Sequence, residues 1–101
     1  MSAASPNSAF PPTRRIGIFV FEGFEPIDVF GFAEAFTISR FLGTNYADPP
    51  PYPFATSLIG RRLEKVRRIN GRAVMPDLDM KQALADPPDL LMIPGGGGGL
   101  A

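Results

Sequence analysis

Neither cysteine nor histidine occurs among the 101 residues of this chain. The first absence excludes disulfides, thiolate metal sites and a thiol nucleophile within these residues. The second excludes a Ser-His-Asp triad and imidazole metal ligands. An excess of charge is missing too. Ten Lys and Arg stand against ten Asp and Glu, so no strong field recommends nucleic acid or a membrane as partner. No apolar run approaches the roughly 20 residues that span a bilayer, and the N-terminus lacks the basic-then-apolar order of a signal peptide. The expected location is therefore the cytoplasm. What remains is a chain of 45% apolar residues, one domain at most, with enough apolar material for a core.

The chain is organised around Arg15-Ile-Gly-Ile-Phe-Val-Phe-Glu-Gly-Phe-Glu-Pro-Ile-Asp28. Residues 16–21 form an unbroken apolar run without the alternation of a half-solvated strand. Such a run predicts a strand buried on both faces, as in the parallel sheet of an α/β domain. Glu22-Gly23 breaks the run, and Pro26 suits the first position of a helix, where its missing N–H costs nothing. Asp28 then falls in the first helical turn, at the C-terminal edge of the strand. Ligands and chemistry gather at that edge in open α/β sheets.

A helix is expected over residues 26–42. Val29, Phe32, Ala33 and Phe36 make one apolar stripe at helical spacing. Phe30, Ile38 and Phe41 lie outside it, so a second buried contact is expected: either another layer of the same domain or a homodimer interface. Gly43 is placed as the C-cap. Upstream, residues 1–13 read as a flexible tail, too poor in apolar residues to offset ordering. Downstream, four prolines within residues 49–53 predict a stiff connector rather than helix or sheet. A second strand follows at 54–59.

Arg61, Arg62, Lys65, Arg67 and Arg68 form a basic cluster. It suits either a phosphate contact or the solvated face of an edge strand, where cations discourage edge pairing. Asn70-Gly71 is a strong hairpin signal and joins two expected arms, 66–69 and 72–75. Asp77 or Asp79 is expected to cap a short helix through Leu84. The two carboxylates lack further ligands nearby, so no metal is expected there. Residues 86–89 form a turn, and 90–93 a second fully apolar strand. Pro94 and Gly95 to Gly99 follow it. This glycine run lacks the Gly-Lys-Ser/Thr ending of a Walker loop, and Leu100 stands where a dinucleotide fingerprint beginning at Gly95 needs glycine or alanine. A low-complexity linker fits residues 97–99. Pro94-Gly95-Gly96 directly follow the strand, where backbone N–H groups are suited to an oxyanion hole.

The segments "RIGIFVFEGFEPIDVFG", "VRRINGRAVMPD" and "DLLMIPGGGG", in that order, resemble the first half of the ThiJ/PfpI family. That family belongs to the class I glutamine-amidotransferase-like superfamily, and the isonitrile hydratase-like branch looks most similar. The resemblance implies a flavodoxin-like three-layer α/β sandwich, with a mostly parallel sheet and one antiparallel hairpin, cut after the strand at 90–93. Residues 14–101 would be the N-terminal half of such a domain. Asp28 matches the family's acid beside a nucleophilic cysteine, and Gly96 the glycine whose N–H helps form the oxyanion hole. The cysteine itself sits on a later strand-to-helix elbow. Phe32 stands after Gly31 where the family usually has proline, which leaves the turn geometry there to the structure.

The implied parent is a cysteine-dependent hydratase or hydrolase of small molecules, a homodimer when complete, and inactive as these residues alone. In the hydratase branch a thiolate adds to an isonitrile carbon, the carboxyl group exchanges protons, and water releases an N-substituted formamide. No cofactor is implied. The alternatives are a ligand-sensing domain of an AraC-type regulator and a non-catalytic chaperone-like relative. Without the resemblance, Asp28 also reads as an acid stabilising the helix dipole.

Overall fold

The computed structural model describes residues 10–96. Four strands form one parallel sheet: β1 (Arg14–Phe19), β2 (Phe54–Gly60), β5 (Leu78–Asp79) and β6 (Leu90–Met92), in the order β5-β2-β1-β6. Two more, β3 (Val66–Arg67) and β4 (Ala73–Val74), form a separate antiparallel pair. The architecture is the parallel α/β one that the apolar runs predict, in the flavodoxin-like form, with one antiparallel hairpin, that the family resemblance implies.

Ile16 and Ile18 are fully buried in β1, and Val20 beyond it is buried as well. The strand begins at Arg14 rather than Ile16 because the opening residues are anchored. Arg15 donates its backbone N–H to Asp89 Oδ2 at 2.7 Å and accepts from the Asp89 N–H at 2.8 Å. Its guanidinium reaches Asp86 Oδ1 at 2.9 Å and the Asp86 carbonyl at 2.7 Å. Gly17 allows close packing between these elements: a Cβ there would lie 2.6 Å from Ile59 Cδ1 and 3.0 Å from Pro88 Cγ.

Helix formation starts with a π-helical turn, Ile27–Gly31, which continues as α1, Phe32–Ile38. The expected extension to residue 42 is not made. Ser39 turns to extended backbone (φ −64°, ψ 143°), and its Oγ donates to the Ala35 carbonyl at 2.8 Å. Gly43 therefore does not cap the helix. With φ 89° it serves a later turn, closed by the Thr44 N–H on the Phe41 carbonyl at 3.1 Å. Only Val29 is fully buried across these helical residues, with Ala33 and Phe36 half-buried against the core. Phe36 meets Phe54 edge-on at 5.0 Å, which fixes the helix to the sheet.

Phe32, expected on the buried stripe, is instead exposed, and among the described residues no second layer covers Ile27, Phe30 and Ile38, which are exposed as well. Phe41 instead stacks on Phe10 at 4.7 Å. Residues 1–9 of the expected tail lie outside the described residues. Thr13 is tied down through its hydroxyl, which donates to the Tyr52 carbonyl at 2.6 Å. Arg40, just past the helix, lies over the rings of Tyr46 and of Tyr52 in the proline-rich connector, at 5.0 and 4.5 Å.

The hairpin forms about Asn70-Gly71, with Gly71 at φ 87° and the Arg68 N–H on the Arg72 carbonyl at 2.7 Å. Its paired arms are two residues each, shorter than expected. Arg68 still bonds across the hairpin, but Ile69 turns away and donates to the Phe24 carbonyl at 3.0 Å. The two candidate caps divide their work. Asp79 caps α2 (Met80–Ala85) in a full capping box with Gln82. Asp77 bridges to β2, accepting the Leu58 N–H on Oδ2 at 2.7 Å and donating its own N–H to the Leu58 carbonyl at 2.8 Å.

The apolar strand expected at 90–93 forms over Leu90–Met92 and lies at the edge of the sheet, with Leu90 and Leu91 half exposed. The basic cluster is not the face of an edge strand. Arg61, Arg62 and Lys65 sit on the loop that leaves β2, a strand inside the sheet, and only Arg67 lies within a strand.

Candidate functional site

The turn after β1 is held from two sides. On one side, Gly23 donates to the Arg67 carbonyl at 2.8 Å, and the Arg67 N–H donates to Glu22 Oε2 at 2.9 Å. On the other, Glu25 donates its N–H to the Gly95 carbonyl at 2.9 Å. Between them Phe24 is fully buried and bridges to both Arg68 and Gly96. An apolar side chain at this point in the turn thus pins the hairpin and the glycine turn to the C-terminal edge of β1.

That clamp sets the start of the helix. Ile27 donates to Glu25 Oε2 at 3.2 Å, and the Asp28 N–H reaches the Glu25 carbonyl at 3.1 Å. Asp28 is half-buried and accepts the Gly95 N–H on Oδ2 at 3.0 Å. Gly95 is therefore gripped twice, its carbonyl by Glu25 and its N–H by Asp28. A Cβ at position 95 would stand 3.2 Å from that carboxylate oxygen, so a larger residue would push the acid aside.

Gly96 has φ 141°, a region that disfavours L side chains, and a Cβ there would overlap the Gly23 carbonyl oxygen. Glycine is required by the close approach of two turns. Among the described residues no acceptor takes the Gly96 N–H. Asp28 and Gly96, far apart in sequence, thus share one corner at the C-terminal ends of β1 and β6. Gly95, expected only as part of the Pro94-Gly95-Gly96 stretch that offers backbone N–H groups, is the residue whose N–H the acid takes.

A second feature occupies the same sheet edge. A cavity of about 580 Å³ opens over the C-terminal ends of β1, β2 and β5. Neither Asp28 nor Gly96 lines it, so the open space and the acid–glycine corner are distinct places. Among the described residues no group of three or more metal-ligating side chains occurs, and no helix is long and apolar enough to cross a membrane.

This arrangement defines a flavodoxin-like α/β fold with an acid and a glycine turn at the C-terminal edge of the parallel sheet. The same fold appears in Drosophila melanogaster DJ-1beta (TM-score 0.64, 19% identity), covering 87% of this chain and 41% of that one. It appears in a ThiJ/PfpI family protein from Pseudomonas syringae (TM-score 0.66, 18% identity), covering 99% of this chain and 38% of that one. It appears again in oxidized Toxoplasma gondii DJ-1 (TM-score 0.60, 16% identity), covering 84% and 40%. This chain spans about two-fifths of the length of these structures. No protein-family model matches the chain, and no curated protein matches it.

Proposed function

We propose that these residues form the N-terminal half of a ThiJ/PfpI-type domain, and that they contribute the acid and one oxyanion-binding N–H to a cysteine-dependent hydratase of the isonitrile type. The observation that carries this reading is the Asp28–Gly95 hydrogen bond of 3.0 Å. It joins a helix start to a glycine turn 67 residues later, at the sheet edge where α/β enzymes work. Two facts support the division of labour. The sequence holds neither cysteine nor histidine, and the structures sharing its fold are more than twice as long as the part it matches. The π-helical form of residues 27–31 adds weight, since such turns recur at functional sites.

In this reading a thiolate from the remainder of the domain adds to the terminal carbon of an isonitrile. The Asp28 carboxyl proton passes to that same carbon, giving a thioimidate. Water then attacks the carbon, the carboxylate accepts one of its protons, and the C=N electron pair moves onto nitrogen. The remaining hydroxyl proton passes to that nitrogen, which leaves an oxyanion held by the Gly96 N–H, and its collapse expels the thiolate and releases an N-substituted formamide. The exposed face of the helix serves as the homodimer contact of the complete protein.

By itself the chain should turn over no isonitrile, because it has the acid without the nucleophile. Incubation of the purified chain with an alkyl isonitrile, followed by chromatography for the formamide, is expected to show only the uncatalysed rate. Turnover that disappears in Asp28→Ala would overturn the proposal.

A further inference from the structure

The basic loop after β2 has no part in the chemistry proposed above, yet it borders the cavity of about 580 Å³ at the C-terminal edge of the sheet. Phe19, Phe21 and Met80 supply apolar wall, and Arg61, Arg62 and Lys65 stand on the basic side. A concave space of this volume, with an apolar wall and a charged side, falls in the range of small-molecule sites, about 300 to 1,000 Å³. Its position over three parallel strand ends is where such sites form in α/β sheets.

The charges at this cavity are unequally engaged. Glu22 spends Oε2 on the Arg67 N–H at 2.9 Å, and Glu64 faces Arg62 at 3.6 Å. Among the described residues Arg61 and Lys65 form no ion pair. The uncommitted charge is therefore positive. Edge protection does not account for it, since Arg61 and Lys65 lie on the loop and not within a strand. We infer that this cavity binds a small organic oxyanion, a carboxylate or phosphate ester on an apolar or aromatic body. The body packs against Phe19, Phe21 and Met80, and Arg61 and Lys65 hold the anionic head. Arginine suits this task because its planar fork meets two oxygens of one head group.

The inference stands apart from the acid–glycine corner, since neither Asp28 nor Gly96 lines the cavity. The test is equilibrium dialysis of the full chain against cinnamate, phenyl phosphate and the uncharged cinnamamide at low ionic strength. Dialysis reads binding in any association state. One or both anions should bind at least about tenfold more tightly than cinnamamide, a difference in keeping with charge-assisted hydrogen bonds. The stronger of the two identifies the head group. Arg61→Ala/Lys65→Ala should remove that preference. Arg14→Ala/Arg72→Ala, which removes equal charge outside the cavity lining, should keep it. Near-ultraviolet circular dichroism of both variants checks that the fold is retained. Equal binding of anions and amide, no binding of any probe, or equal losses in the two double variants would overturn the inference.

Discussion

Asp28 has two structural duties that one substitution can separate. Its carboxylate holds the Gly95 N–H at 3.0 Å, and in the proposed reaction it also carries a proton. An amide oxygen can still accept the Gly95 N–H, whereas an amide cannot deliver and recover an acidic proton. Asp28→Asn in the complete protein is therefore expected to leave the near-ultraviolet circular dichroism unchanged while kcat falls by about 10²- to 10⁴-fold, the usual contribution of general acid–base catalysis. An unaltered kcat would reduce Asp28 to a residue that ties a turn and stabilises a helix dipole.

Short elements in this chain depend on their ends more than their length. Helix α2 spans Met80–Ala85 and buries only Ala83, too few residues for helix propensity to sustain it. Its reciprocal cap does so instead, with the Gln82 N–H on Asp79 Oδ1 at 2.7 Å and the Asp79 N–H on Gln82 Oε1 at 3.0 Å. Asp79→Ala is expected to cost about 1 kcal/mol, read as roughly fivefold faster amide exchange at Gln82 if that amide exchanges through local opening. An unchanged exchange rate would show that β5 pairing and the packing of Ala83 hold the helix without the cap. The β3–β4 pair follows the same logic. Its two paired residues per arm persist because Arg67 and Ile69 are bonded to the turn around Phe24.

At the scale of the whole fold, the buried apolar set among the described residues is small: Ile16, Ile18, Val20, Phe24, Val29, Ile59 and Ala83. Against it stand Leu90, Leu91 and Ile93 along the outer strand, at 48%, 51% and 70% exposure, and Ile27 at 72% on the helix. Full burial of each large apolar side chain is worth about 1.5 to 3 kcal/mol, so covering several rivals the roughly 5 to 15 kcal/mol of a typical domain. An edge strand with open backbone groups adds a template for pairing. The isolated chain is expected to self-associate through β6 or the Phe-rich helix, or to lose fixed tertiary packing. Sedimentation velocity over a range of concentrations, with near-ultraviolet circular dichroism, checks this. A cooperative, well-packed monomer at all concentrations would show that the four-stranded arrangement suffices as it stands.

Local chemistry alone determined the parallel strand through Ile16 and Ile18, the Asn70-Gly71 hairpin, a helix cap at Asp77 or Asp79 and the helix start at Pro26. Each rests on a period, a missing donor or a permitted φ, all carried by neighbouring residues. The class of fold followed from stringing these together. Tertiary structure alone decided what those elements face. The helix stops at Ile38 because Ser39 leaves the helical region, although apolar residues continue to Leu42. Leu90, Leu91, Met92 and Ile93 are all apolar, and pairing on one side alone leaves Leu90 and Leu91 of β6 exposed. The meeting of Asp28 with Gly95 needed three independent contacts: Phe24 buried beneath the turn, Glu25 on the Gly95 carbonyl, and Gly96 free of a side chain. No spacing in the sequence encodes that meeting, because closure across 67 residues depends on where the sheet brings two strand ends together.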